Sequence, residues 1–124
     1  MVTFIELIIG GAIGTLARYT LAGVVYKGFG TSFPYGTIVV NLLGCFIIGF
    51  LSTIAEQKFV LGSGVRTFLM IGFCGAFTTF STFIFETNGL IRDGEVMRAF
   101  VNVLVSVIAG FILFRIGVLL GEVI

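Results

Sequence analysis

The sequence contains no histidine, one proline and few charges. The absence of histidine removes both the commonest metal ligand and the commonest general base. Charged residues make up 10% of the chain, whereas an ordinary soluble domain carries about 25%. Hydrophobic residues make up 58% and the mean hydropathy is +1.22. A soluble domain of 124 residues could not hide that much apolar surface from water, so lipid is the expected solvent. The net charge of +1 leaves no electrostatic footprint for nucleic acid. Two cysteines, Cys45 and Cys74, lie inside apolar stretches with no ligand cluster around them, and read as small hydrophobes. With no nucleophile beside a base, no metal cluster and no soluble head, the chain does not read as an enzyme.

What is present is a set of long runs without charge, at 28–55, 67–85 and 99–114. A spanning helix needs about 20 mostly apolar residues. The runs predict helices near 35–56, 65–91 and 96–121, and a first helix near 3–25 that carries Glu6 and Arg18. The N-terminal MVTFIELIIGGAIG lacks a basic start and reads as a retained membrane helix, not a signal peptide. The connections are short. YKGFGTSFPYG (26–36) holds Pro34, which suits the first turn of the second helix. EQKFVLGSGVR (56–66) carries a Gly62-Ser63-Gly64 turn, and RDGE (92–95) turns at Asp93-Gly94. The expectation is an all-α membrane protein, a single domain over 1–124 with four transmembrane helices.

Lys58 and Arg66 fall on one side of such a bundle; Lys27, Arg92 and Arg98 fall on the other, with Arg18 just short of it. The positive-inside rule barely discriminates between two and three. Either a small protein simply has few charges, or both orientations insert and pair antiparallel.

Polar groups in hydrocarbon are costly, so each is a candidate for function against the plainer reading of interhelical glue. Gly10 and Gly14 form a GxxxG pair suited to close helix packing. Arg18 either snorkels to the interface or pairs with a carbonyl or carboxylate. Asn41, in GTIVVNLLG (36–44), either bonds between helices or presents a donor to a polar path.

GFCGAFTTFSTF (72–83) is the most breakable stretch, with Gly75 and Ala76 followed by Thr78 and Thr79. Unwound membrane backbone exposes carbonyls, tolerated only inside protein or around a cavity, and such carbonyls are good ligands for Na⁺. Phe80 and Phe83 are three apart and share a face, with Thr79 and Thr82 on the neighbouring one. Phenyl edges are electropositive and can line an anion path without a fixed cation that would trap the ion. Glu86 follows Phe83 by three and falls on the same side. It would carry protons, cap a vestibule, or bond to hydroxyls and backbone groups. Asn102 and Ser106 share a face of the fourth helix and extend a polar track.

GTIVVNLLG followed by GFCGAFTTFSTF and Glu86, with GGAIGTLARY (10–19) upstream, resembles the Fluc (CrcB) fluoride channels over all four helices. That resemblance implies a four-helix subunit, its third helix broken near the middle, in an antiparallel dual-topology dimer of the cell (plasma) membrane. Such a dimer exports fluoride passively through two narrow pores. It implies Asn41 as a donor to fluoride, Phe80 and Phe83 as the pore-lining pair, and Ser81, Thr82, Glu86 and Ser106 as polar pore positions. Arg18 falls at a vestibule. The carbonyls of Gly75 and Thr78 would hold a structural Na⁺ at the dimer centre.

Departures from the family pattern are Ala76 for glycine, Phe77 for leucine, and Gly110 and Phe114 where a serine and a threonine are usual. Ser106 would substitute from one turn earlier. The last departure keeps a heterodimer with a paralogous subunit open beside the homodimer, and a proton-coupled exporter using Glu86 stands as the other alternative.

Overall fold

The computed structural model describes residues 2–59 and 61–124. The described chain is helical almost throughout. Its elements are α1 (Val2–Phe29), α2 (Tyr35–Glu56), α3 (Ser63–Arg66), a π-helical segment π1 (Thr67–Phe73), α4 (Cys74–Phe77), α5 (Phe80–Arg92) and α6 (Val96–Val123). Among the described residues, four helical stretches are long and apolar enough to cross a membrane: Val2–Phe29, Tyr35–Glu56, Ser63–Arg92 and Val96–Val123.

Each helix end has a local cause. α1 runs one turn past residue 25 and stops at Gly30, whose φ of +86° suits the left-handed C-cap and whose N–H donates to the Tyr26 carbonyl at 2.8 Å. Pro34 sits one position earlier than expected, as the N-cap of α2, and its carbonyl accepts from the Ile38 N–H at 3.1 Å. Gly62-Ser63-Gly64 is not a turn. Gly62 is the extended N-cap, and Ser63 and Gly64 already belong to α3. Val60, within the 56–66 connection, lies outside the described residues. α5 ends in a Schellman motif: Glu95 N–H donates to the Leu90 carbonyl at 2.8 Å and Gly94 N–H to that of Ile91 at 3.0 Å, with Gly94 at φ +82°.

The third span is composite. The π turn over Thr67–Phe73 passes into α4, and the helix then stops at two extended residues. Thr78 has φ −94° and ψ 158°; Thr79 has φ −149° and ψ 122°. β-Branched side chains suit that conformation better than a helix. Helix resumes at Phe80, with the Thr79 hydroxyl oxygen capping it by accepting from the Thr82 N–H at 3.2 Å.

Glycines allow two close crossings. On α1, a Cβ at Gly10 would strike the Phe68 carbonyl and one at Gly14 the Phe73 carbonyl, so the GxxxG face seats π1. On the other side α2 packs along α6, where a Cβ at Gly49 would strike the Phe114 carbonyl and one at Gly117 the Phe46 carbonyl. Small residues bring backbones together because lipid offers no hydrophobic drive between helices. α5 meets α6 through a buried polar bridge: Asn102 Nδ2 donates to Thr87 Oγ1 at 2.9 Å, and that hydroxyl donates to the Phe83 carbonyl at 2.7 Å. Apolar side chains of α1 and α6, among them Phe4, Ile8, Leu16, Phe100 and Phe111, face outward as lipid-facing residues do.

Candidate functional site: the interruption at Thr78–Thr79

Breaking a helix frees backbone groups that the hydrocarbon cannot satisfy. Here side chains take up some of them. Asn41 on α2 faces the break and makes two bonds to one residue. Its Nδ2 donates to the Thr79 carbonyl at 3.0 Å, and its Oδ1 accepts from the Thr79 N–H at 2.8 Å. Arg18 on α1 donates from Nε to the Ala76 carbonyl at 3.0 Å. Thr78 bonds its own preceding turn, from Oγ1 to the Cys74 carbonyl at 2.9 Å.

This arrangement diverts two N–H groups from their helical acceptors. The Thr79 N–H would reach the Gly75 carbonyl in a continuous helix but goes to Asn41. The Thr82 N–H would reach the Thr78 carbonyl but goes to the Thr79 hydroxyl. The Gly75 and Thr78 carbonyls are thus released together. Gly75 is exposed, and no atom lies within 4 Å of where its Cβ would stand. On the other side of the break, the first N–H groups of α5, at Phe80 and Ser81, precede the start of intrahelical bonding and lie at the positive end of that helix.

Two clefts flank the break and share Thr79. The first, of about 450 Å³, is bounded by Asn41, Gly75, Thr78, Phe80, Phe83 and Ser106 among others. The rings of Phe80 and Phe83 stand 5.9 Å apart, tilted at 48°. Phe80 is 74% exposed, whereas Phe83 is 7% exposed. Phe80 therefore offers its ring outward while Phe83 forms the cleft wall. Ser106 Oγ is enclosed there without a hydrogen-bond partner. Both cysteines, Cys45 and Cys74, also line this cleft.

The second cleft, of about 540 Å³, is bounded by Arg18, Tyr26, Lys27, Thr37, Thr82 and Glu86 among others. The expected shared side for Phe83 and Glu86 does not hold, since Phe83 lines the first cleft and Glu86 the second. Three residues turn a helix by less than a full circle, and the partner on α1 decides the rest. The Tyr26 hydroxyl donates to Glu86 Oε2 at 3.2 Å. Thr82, four residues before Glu86, shares its side. Thr79 is the cap and not a helical neighbour of Thr82.

The structure brings together Asn41, Gly75, Thr78, Phe80, Phe83 and Ser106 in one cleft and Arg18, Thr82 and Glu86 in the other. Ser81 is exposed and belongs to neither. Asn102 is fully buried on Thr87 and does not line the clefts, so the expected track on α6 reduces to Ser106. Gly110 is buried against α2, its Cβ position 3.3 Å from Cys45 Sγ, where a serine hydroxyl would have little room. Tyr26 and Thr37 were missed in the sequence, because only the tertiary contact of α1 with α2 and α5 gives them a role.

Residues 5–118 match the family model described as CrcB-like protein, Camphor Resistance (CrcB). The chain is 47% identical over 121 residues to a protein of Desulforapulum autotrophicum called fluoride-specific ion channel FluC, covering 98% of this chain and 97% of that one. It is 49% identical over 112 residues to a protein of the same description from a Geobacter species, covering 90% of each. It is 46% identical over 116 residues to another from Solidesulfovibrio magneticus, covering 94% of this chain and 93% of the relative.

Proposed function

We infer, since the chain belongs to the CrcB-like protein family, that it is a fluoride-specific ion channel: a multi-pass protein of the cell membrane and not an enzyme. The single observation that carries this reading is near half identity, along almost the whole chain, to relatives described as fluoride-specific channels. Hydrogen fluoride crosses membranes as a neutral weak acid and ionises at neutral pH. A passive conductance lets the trapped anion leave down its gradient and lowers its concentration in the cell.

The anion path runs beside the interruption at Thr78–Thr79, which is the functional break of the third span. Fluoride is small and strongly hydrated, so the path must replace water donors. Candidates are the second Asn41 N–H, the Ser81 and Ser106 hydroxyls, Thr82, and the ring edges of Phe80 and Phe83. The first N–H groups of α5 add positive potential at the same place. Arg18, tied to the Ala76 carbonyl, holds a positive charge at the mouth of the second cleft without lying free in the path. Glu86 lines that mouth.

The working unit is an antiparallel homodimer in the bilayer. Gly75, Phe80 and Ser81, on either side of the break in the third span, are exposed. A released carbonyl facing lipid costs several kcal/mol, so a second copy covering this region is the arrangement that hydrocarbon permits. The near-even split of basic residues supports two opposite orientations.

The donor set also fits a structural Na⁺. The Gly75 and Thr78 carbonyls have both lost their helical donors and no side chain crowds Gly75. Held between two copies, such an ion would neutralise the carbonyl dipoles and tie the subunits together.

The test is fluoride efflux from liposomes that contain only this chain, read with a fluoride electrode. Rapid fluoride release with little chloride supports a self-sufficient channel. No release from a stable dimer would assign the chain to a paired subunit instead.

A further inference from the structure

Glu86 and Tyr26 each line two separate hollows. One is the inner cleft that reaches Thr79 and Thr82; the other, of about 350 Å³, lies outward between Thr31, Pro34, Gly89 and Asp93. The hydrogen bond from Tyr26 to Glu86 Oε2, at 3.2 Å, therefore stands in the wall between them.

The tyrosine is seated by design of the backbone. A Cβ at residue 36 would strike Tyr26 Cε2 and stand 2.8 Å from its Cδ2, so Gly36 is the slot that admits the ring. The Thr37 N–H, in the first turn of α2, has no intrahelical acceptor and donates to the Tyr26 hydroxyl oxygen at 3.4 Å. Thr37 Oγ1 stands 3.4 Å from the same oxygen. The phenol thus links the positive end of α2 to the carboxylate. The other oxygen, Glu86 Oε1, is enclosed and, among the described residues, has no partner, so there Tyr26 is the one side chain that fixes the carboxyl group.

We propose that Tyr26 is a positioning residue for conduction: it latches the Glu86 side chain against the N-terminus of α2 and keeps its negative charge out of the anion's way between the two hollows. This rests on the fluoride-channel reading. The charged and titratable groups that share these hollows with Glu86 are Arg18, Tyr19 and Lys27 from α1, Tyr26 itself, and Asp93 beyond the end of α5. Arg18 is occupied by the Ala76 carbonyl, and among the described residues no cation lies within ion-pair distance of Glu86. Released from the phenol, the carboxylate has no other fixed partner and swings into the passage, where it repels an anion.

The test compares fluoride efflux for the wild-type chain, Tyr26→Phe, and Tyr26→Phe with Glu86→Gln. Tyr26→Phe is expected to slow efflux about tenfold, the factor carried by about 1.4 kcal/mol of barrier. Adding Glu86→Gln should restore it, because no charge is left to swing. Unchanged efflux in Tyr26→Phe overturns the proposal. So does a loss that Glu86→Gln fails to rescue, which would make the tyrosine merely structural. A carboxyl ¹³C NMR spectrum of the purified protein reads the latch without any flux. The Glu86 resonance, identified by its disappearance in Glu86→Gln, should shift in Tyr26→Phe, and an unmoved resonance overturns the latch. If the wild type passes no fluoride while that resonance still shifts, the channel reading fails and the latch stands.

Discussion

Asn41 and Thr79 close a reciprocal pair of hydrogen bonds, amide to carbonyl at 3.0 Å and N–H to amide oxygen at 2.8 Å. One side chain on α2 thereby stands in for the helix that the third span lacks at that point. Asn41→Asp keeps the acceptor for the Thr79 N–H but loses the donor and adds a charge. Each backbone group left unpaired costs about 1–3 kcal/mol. Fluoride efflux from Asn41→Asp liposomes should fall severely, and the thermal midpoint of the purified variant should drop with it. Efflux at the wild-type rate would show that the pair is dispensable.

Phe80 and Phe83 separate a role in conduction from a role in packing. Phe80 is largely exposed in the protomer, so Phe80→Ile should leave the fold intact, read as an unchanged melting curve, while fluoride efflux collapses. Phe83 is buried, and Phe83→Ile should lower both. Equal efflux from wild type and Phe80→Ile would remove the ring from the path.

Gly14 and Gly75 separate the stability of the protomer from the proposed dimer. A Cβ at Gly14 strikes the Phe73 carbonyl, so Gly14→Ala should destabilise the protomer by about 1–3 kcal/mol through forced backbone movement. A Cβ at Gly75 meets no packing neighbour within 4 Å among the described residues. Gly75→Leu should therefore leave helicity by circular dichroism unchanged and shift the mass by light scattering from dimer to monomer. A dimer that persists in Gly75→Leu would place the interface elsewhere.

Ser106 is the hydroxyl that α6 contributes, enclosed in the first cleft with no partner of its own. Ser106→Ala removes one donor or acceptor without changing the packing much. It should reduce efflux by a factor set by one hydrogen bond, about 5- to 10-fold for about 1–1.5 kcal/mol. Restoration by Ser106→Thr, which keeps the hydroxyl, checks that the loss is chemical and not steric.

The four spans were legible because their signal is additive: long runs without charge need no partner to be read. Local chemistry also marked Gly94 and the aromatic pair at Phe80 and Phe83. Other features depend on who the neighbour is. The π turn over Thr67–Phe73 leaves no mark in composition, since its residues would serve an α-helix equally well. Glu86 was placed with Phe83 on spacing alone, whereas the hydroxyl of Tyr26, sixty positions away, settles its side of the helix. Gly36 read as the junction of the 26–36 connection with the second helix, yet its purpose is to admit the Tyr26 ring. The fourth span misled for the same reason: Asn102 looked like part of a track but is consumed by Thr87, and Gly110 is held small by Cys45.

The central claim is anion selectivity through the cleft at the broken third span, and one measurement tests it most directly. Liposomes containing only this chain are loaded in parallel with fluoride and with chloride, and efflux is followed by ion-selective electrodes. The account predicts rapid fluoride release and chloride release near that of protein-free liposomes. Chloride leaving as fast as fluoride would contradict it.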